Sequence, residues 1–328
     1  MPPLRLVFLG SDVIALPLLE WLVGPGAALG EVVAVFTQPD RAVGRGQKVQ
    51  PNGIKAWAQA RGLPVLQPEK ITEEVRGELS ALRADLGLIM AYGHILRDDF
   101  IGTPTLGMLN LHTSRLPGYR GASPIQSAIV GGEPATGVTL MRIVRRLDAG
   151  PIADCEGVPI GPLDSALDVE GKLAAACVPL LARALPRLRD GTLEFSPQDD
   201  AAATYCRKLQ KEDGVLDFAA PARALAARVN GLSPWPGCSA LLLGQVIKFG
   251  LADVAPGGAV PSGACPGQVL GADLLGVLVA TGDGVLRLRR LQRPGGRMLE
   301  AAEFIRGFPV PPGTVLPSLP MPGLVTRR

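Results

Sequence analysis

The chain has 328 residues, 47% of them hydrophobic, and a formal net charge of only +3. That is material for two separate cores, while Arg, Lys, Asp or Glu interrupts every apolar stretch before the roughly 18 residues that a bilayer span needs. Five scattered cysteines with no CxxC pair argue against a disulfide framework or a zinc site, and for free thiols buried in a reducing cytosol. The expectation is a monomeric cytoplasmic protein with no metal and no membrane segment.

In chain order, MPPLRLVFLG reads as a first buried strand rather than a signal peptide, since its apolar run is very short and no small-residue cleavage site follows. A helical pattern near Val13 to Val23 comes next, then the strand EVVAVFTQ, a loop, and a helix near Ile54 to Arg61. PVLQ, a helix near Thr72 to Leu82, LGLIMAY and LGMLNLHT continue the alternation. Fully apolar strands that take turns with helices belong to a largely parallel sheet covered on both faces, so the fold class is α/β, doubly wound and Rossmann-like. The turn LGSDVIA lacks the spaced glycines of a dinucleotide fingerprint, which excludes the usual nicotinamide site. Ligands of such sheets bind beyond the carboxyl ends of the strands, where Thr37 to Asp40, Tyr92 to His94 and Asn110 to Ser114 stand.

An Ala/Leu-rich helix is predicted over Leu163 to Arg189, followed by a Gly, Pro, Ser and Asp segment that suits a linker. The division drawn from this is a first domain over 1–190, a linker over 191–208 and a second domain over 209–328. The second domain has a helix near Pro221 to Val229 and then short strands broken by Gly and Pro, the pattern of a small OB-like β-barrel. The proline-rich tail from Pro309 reads as loosely held. From Tyr205 onward 14 Lys and Arg face 8 Asp and Glu, so the positive charge gathers in the last third, which fits a polyanionic partner.

The stretch LNLHTSRLPGYRGASP sets an amide, Asn110, and an imidazole, His112, two residues apart. At a strand end both point the same way, and two such donors can bracket a carbonyl oxygen as it becomes an oxyanion. The same spacing also fits a histidine that merely caps a turn. Asp148, between the apolar run VTLMRIV and a Gly-Pro turn, is placed either to hold His112 or to cap that turn. QPDRAVGRGQK carries Arg41, Arg45 and Lys48 on a Gly-rich backbone, and Arg287, Arg289 and Arg290 alternate in part along a predicted strand with Arg293 and Arg297 beyond. Both clusters fit a solvated surface as well as a phosphate-tracking one. Trp235 between prolines reads as a packed turn anchor.

These residues resemble the folate-dependent formyltransferases, whose site is an Asn-x-His, a Ser-Leu-Leu-Pro-like turn, an Arg-Gly and a later Leu-Asp-x-Gly. All four elements are present in order. VFTQPDRAVGRGQK, VLQPEKI, MAYGHIL, GASPIQSAI, GVTLMRIV, LDAGPI and NGLSPWPG extend the likeness along nearly the whole chain, toward the branch that acts on an aminoacyl-tRNA. The resemblance implies that Asn110, His112 and Asp148 are catalytic, and that Ser114, Arg115, Leu116 and Pro117 form the turn that contacts folate. Met90, Tyr92 and Gly93 then line the pterin pocket. Arg41, Arg45, Lys48, Arg287, Arg289 and Arg290 are the implied tRNA contacts, and 209–328 the tRNA-binding domain. The implied reaction passes the formyl group of 10-formyltetrahydrofolate to the amine of initiator methionyl-tRNA, the alternative being a small-molecule amine as acceptor. The chain departs from the family at Thr113, Arg115, Gly118 and Tyr119, and at His94, which is expected at a helix start with no role of its own.

Overall fold

Seven strands form the central sheet of a computed structural model that describes residues 2–43 and 46–327. In chain order they are β1 (Leu4–Gly10), β2 (Gly30–Phe36), β3 (Val65–Leu66), β4 (Leu86–Met90), β5 (Met108–His112), β6 (Ala135–Arg142) and β7 (Ile152–Pro159). Their order across the sheet is β7-β6-β5-β4-β1-β2-β3. The pairs from β3 through β5 are parallel, and β6 runs antiparallel to β5. β4 and β5 are buried at every position, because helices cover both faces and leave no side for polar alternation.

Local chemistry sets the helix starts. Asp12 accepts from the Ile14 amide at 3.0 Å, and Asn52 caps the helix Gly53–Gln59 by accepting from Lys55 N at 2.9 Å. Thr72 does the same for Glu73–Ala81, which carries Glu73 and Glu74 in its first turn, where the helix dipole favours acid. The chain leaves β1 for β2 and β3 on one side and returns to β4 on the other. The topological switch therefore lies between β1 and β4, where Ser11 N donates to Ala91 O at 3.1 Å. Crevices open at such points.

Contacts divide the chain into two units. The first holds Met1–Arg120, Gly137–Val158 and Gly171–Ala203; the second holds Gly121–Thr136, Pro159–Glu170 and Thr204–Arg328. The second unit thus draws in two segments from within the first 190 residues.

In the second unit the strands β8 (Cys238–Leu242), β9 (Gln245–Val254), β10 (Val269–Ala272), β11 (Val277–Ala280) and β12 (Val285–Gln292) form a curled antiparallel half-barrel sheet ordered β8-β9-β12-β11-β10. The helices Ala222–Gly231 and Ala301–Gly307 bring Leu225, Val229 and Phe304 into one core with Ile247, Phe249, Leu286 and Leu288. A Cβ at Gly231 would press on Ile129 and Val130, so the helix Pro124–Val130 crosses close there.

Three expectations need correction. The tail past Pro309 is held: Gly313 N donates to Val269 O at 2.8 Å, Leu316 and Leu324 are buried, and Val325–Arg327 pairs antiparallel with Thr204–Cys206. Trp235 is 56% exposed, so it anchors no core. Of the cysteines, Cys177, Cys206 and Cys238 are buried, but Cys155 and Cys265 are exposed. No helix among the described residues is long and apolar enough to cross a membrane.

One ion cluster ties β9, β12 and the turn after β10. Arg287 donates to Asp253 at 2.8 and 2.6 Å and to Asp273 at 3.1 Å, with its own side chain nearly covered. Burial pushes the Asp253 carboxyl up, yet the Arg287 and Arg289 guanidinium groups hold it below its ordinary value. Asp273 is lowered in the same sense, by backbone amides and Arg287 against burial. A carboxylate with a lowered folded pKa adds stability above its unfolded value, and that stability is lost as pH falls through the folded one. Arg287→Ala should therefore cost about 3 kcal/mol at neutral pH. Urea unfolding should show the gap to wild type narrowing in acid below about pH 4, where unfolded carboxylates take up protons.

Candidate active site

Asn110 and His112 occupy alternate positions of β5 at its carboxyl end and so face the same side of the sheet. Both are nearly buried, at 8% and 7% exposure. Among the described residues no hydrogen bond reaches the Asn110 carboxamide, which leaves its N–H groups for a ligand oxygen. His112 is held from the other side: Nε2 lies 2.9 Å from the Tyr119 carbonyl oxygen. A carbonyl can only accept, so Nε2 carries a proton and the exchangeable site is Nδ1. Nδ1 faces Asp148 Oδ2 at 3.8 Å, within ion-pair range and longer than a hydrogen bond. The structure brings together the three residues singled out from the sequence.

Asp148 stands in the left-handed region, with φ of 48°. For a side-chain-bearing residue such a conformation costs on the order of 1 kcal/mol and is kept only where surroundings enforce it. Two residues on, a Cβ at Gly150 would overlap the Arg142 carbonyl oxygen, so the Gly of Leu-Asp-x-Gly is demanded by a close backbone approach.

The turn after β5 is tied to β6. Ser114 Oγ donates to Gly118 O at 2.7 Å, and Thr139 Oγ1 donates to Ser114 O at 2.6 Å while accepting from Leu116 N at 3.1 Å. Ser114 is fully buried. Its hydroxyl is spent inside the turn, on the Gly118 carbonyl. Arg115 is exposed and Leu116 and Pro117 half-buried, so these three present the outer surface of the turn. Thr139 was not singled out in the sequence; its signal there was a lone hydroxyl within the apolar run GVTLMRIV.

Across the switch point Met90 and Tyr92 are buried, and Gly93 is exposed with φ of 81°. Gln38 reaches over to donate to Tyr92 O at 3.1 Å. Two enclosed polar atoms here have no hydrogen-bond partner among the described residues, Tyr92 Oη and His94 Nε2, on rings 4.9 Å apart. Burial pushes the Tyr92 hydroxyl well up, and it lowers His94, with Arg41 adding to the effect. Two neutral unsatisfied groups fit the hydrogen-bonding edge of a heterocycle. His94 lies in an irregular segment before the helix Asp98–Ile101, not at a helix start.

The basic loop is a hairpin of Arg41–Val43 and Lys48–Gln50. Its root is fixed by Asn52, which donates to Thr37 Oγ1 at 2.9 Å, and by Lys55, which meets Asp40 at 2.6 Å. Arg41 and Lys48 are exposed; Arg45 lies outside the described residues. In the second unit Arg287 and Arg289 both pair with Asp253, and Arg287 is buried at 6% exposure. Arg290 is exposed and pairs with Glu300 at 2.6 Å.

The sheet thus sets an amide and an imidazole at the carboxyl end of β5, with a carboxylate beside the imidazole. Residues 5–185 match the family described as "Formyl transferase" and residues 208–309 the family described as "Formyl transferase, C-terminal domain". Among curated relatives, a methionyl-tRNA formyltransferase of Ectopseudomonas mendocina (strain ymp) is 42% identical, covering 95% of this chain and 98% of the relative. Another, of Aromatoleum aromaticum, is 40% identical over 95% and 96%. The chain belongs to the methionyl-tRNA formyltransferase family. In fold it is similar to the sugar 3N-formyl transferase WlaRD, with TM-score 0.63 and 14% identity over 90% of this chain and 100% of that one. It is also similar to HypX from Aquifex aeolicus, solved with tetrahydrofolic acid, with TM-score 0.59, 17% identity and 92% of this chain covered. The chain spans about half of HypX, 47% of its length.

Because Thr139 pins the turn at two points, Thr139→Val should leave two backbone groups unpaired, at about 1–3 kcal/mol. The expected outcome is a KM for the folate substrate raised at least about tenfold, with a smaller change in kcat, read from initial rates at varied folate.

Proposed function

We propose that this enzyme transfers the formyl group of 10-formyltetrahydrofolate to the α-amino group of initiator methionyl-tRNA. The observation that carries the reading is the unpartnered carboxamide of Asn110 beside the His112–Asp148 pair, in a chain of this family. In the reaction a bond forms between the amine nitrogen and the formyl carbon, and the bond from that carbon to N10 of the folate breaks. The amine gives up one proton and N10 gains one, so the sum is neutral.

Asn110 donates to the formyl oxygen as charge gathers on it. His112, its Nε2–H fixed on Tyr119 O, takes the amine's proton at Nδ1 and passes it to N10, and Asp148 beside Nδ1 holds the ring while it is charged. The outer surface of the turn, Arg115, Leu116 and Pro117, bounds the folate, and the backbone of Met90, Tyr92 and Gly93 with the unsatisfied Tyr92 Oη receives its pterin. Arg41 and Lys48 on the hairpin, Arg45 of the same sequence run, and Arg290 on β12 meet tRNA phosphates; the surface pair with Glu300 is weak enough to exchange for one. Residues 1–190 are the catalytic domain and 209–328 the tRNA-binding domain of a cytoplasmic monomer.

Radiolabelled formyl from 10-formyltetrahydrofolate should appear on initiator methionyl-tRNA, and far less on the elongator or on a small amine such as glycinamide ribonucleotide. Labelling of the small amine instead would move the chain to another acceptor. Asn110→Ala should lower kcat by at least about a hundredfold, the usual cost of one oxyanion donor, and normal turnover would remove its role. Arg41→Ala and Lys48→Ala should raise the KM for tRNA and leave that for folate unchanged in the same assay.

A further inference from the structure

Asp148 is held by a residue fifty positions further along the chain. Gln198 Nε2 donates to the Asp148 carbonyl at 2.8 Å and to the Gly150 carbonyl at 2.7 Å. One carboxamide thus grips the left-handed residue's own carbonyl and the carbonyl two residues on. Gln198 is gripped in turn: its Oε1 accepts from Arg120 Nε at 3.0 Å and Nη2 at 2.8 Å. Arg120 is fully buried, and its Nη1 meets Asp200 at 2.9 Å, a carboxylate that also takes Arg146 at 2.9 Å.

The chemistry leaves no freedom in how Gln198 is turned. A buried guanidinium requires an acceptor, and two carbonyl oxygens require a donor. Only a carboxamide carries the acceptor at one corner and the donor at the other. The residue before Arg120 is Tyr119, whose carbonyl fixes His112. The dipeptide Tyr119–Arg120 therefore sets both members of the reacting pair, His112 through a carbonyl and Asp148 through Arg120 and Gln198.

We propose that Gln198 is a positioning residue for formyl transfer: it imposes the backbone conformation that turns the Asp148 carboxylate toward His112, with buried Arg120 holding it in place. This rests on the reading of His112 and Asp148 as the reacting pair. Gln198 touches neither substrate, and its effect falls on the rate rather than on binding.

Gln198→Glu tests it. The variant keeps the size and gives Arg120 a full carboxylate, but puts an acceptor where two carbonyls need a donor. The expected result is a kcat lowered by about tenfold to a hundredfold, the scale of a small misplacement of a reacting group, with both KM values nearly unchanged and the melting temperature lowered by the two carbonyls left without a donor. With only two histidines in the chain, imidazole 15N spectra give a second readout. The His112 ring signals should move as they do in Asp148→Asn, while those of His94 stay in place. Wild-type kcat in Gln198→Glu, or a lowered kcat with unmoved His112 signals, overturns the proposal. If the wild type formylates no acceptor, the proposed function fails, and the His112 signals still decide whether Gln198 sets the pair.

Discussion

A carbonyl oxygen accepts and never donates, and at Tyr119 that constraint orders the site around it. It commits one nitrogen of His112 to a fixed proton, which leaves Nδ1 as the nitrogen that can exchange one, on the side where Asp148 stands. A histidine fixed at neither nitrogen could turn and present either face. Here the ring has one orientation, and Asn110, two residues back on the same strand, shares its outlook onto the carboxyl edge of the sheet.

The sheet makes that edge available. Parallel strands bring their carboxyl ends to one side, and the switch between β1 and β4 opens the crevice beside β5. β6 then runs antiparallel against β5 and places Thr139 opposite His112, so that one hydroxyl can bind the turn that follows β5. The polar groups at the edge differ in how fully they are satisfied. Ser114, Thr139 and Gln198 are spent on the backbone, whereas Asn110, Tyr92 Oη and His94 Nε2 have no such claim on them among the described residues. Satisfied groups hold the shape and unsatisfied groups keep their hydrogen-bonding capacity, which is the division of labour that electrostatic preorganisation requires.

Charge in the second unit follows a similar division. Burial along β12 makes Arg287 an ion-pair brace between strands, and the pleat turns Arg290 outward on the same strand. A row of arginines in sequence is thus two kinds of residue in space, and only the exposed kind suits a polyanion.

The α/β class and the run of helices and strands were legible in the sequence, as were Asn110, His112 and Asp148, the residues on which the proposed chemistry rests, because periodicity and motif spacing are local properties of the chain. The family likeness rests on the same local runs, such as QPDRAVGRGQK and LDAGP. The tertiary structure alone decided which groups those residues meet. Ser114 turned inward, since its hydroxyl finds Gly118 O within the turn; the proline-rich tail is held by contacts with β10 and Thr204–Cys206, which are distant in sequence. Gln198 gave no signal at all, lying in a segment read as linker. Its role depends on a buried guanidinium 78 residues away and two carbonyls 50 and 48 residues away, and no pattern along the chain encodes a meeting of that kind.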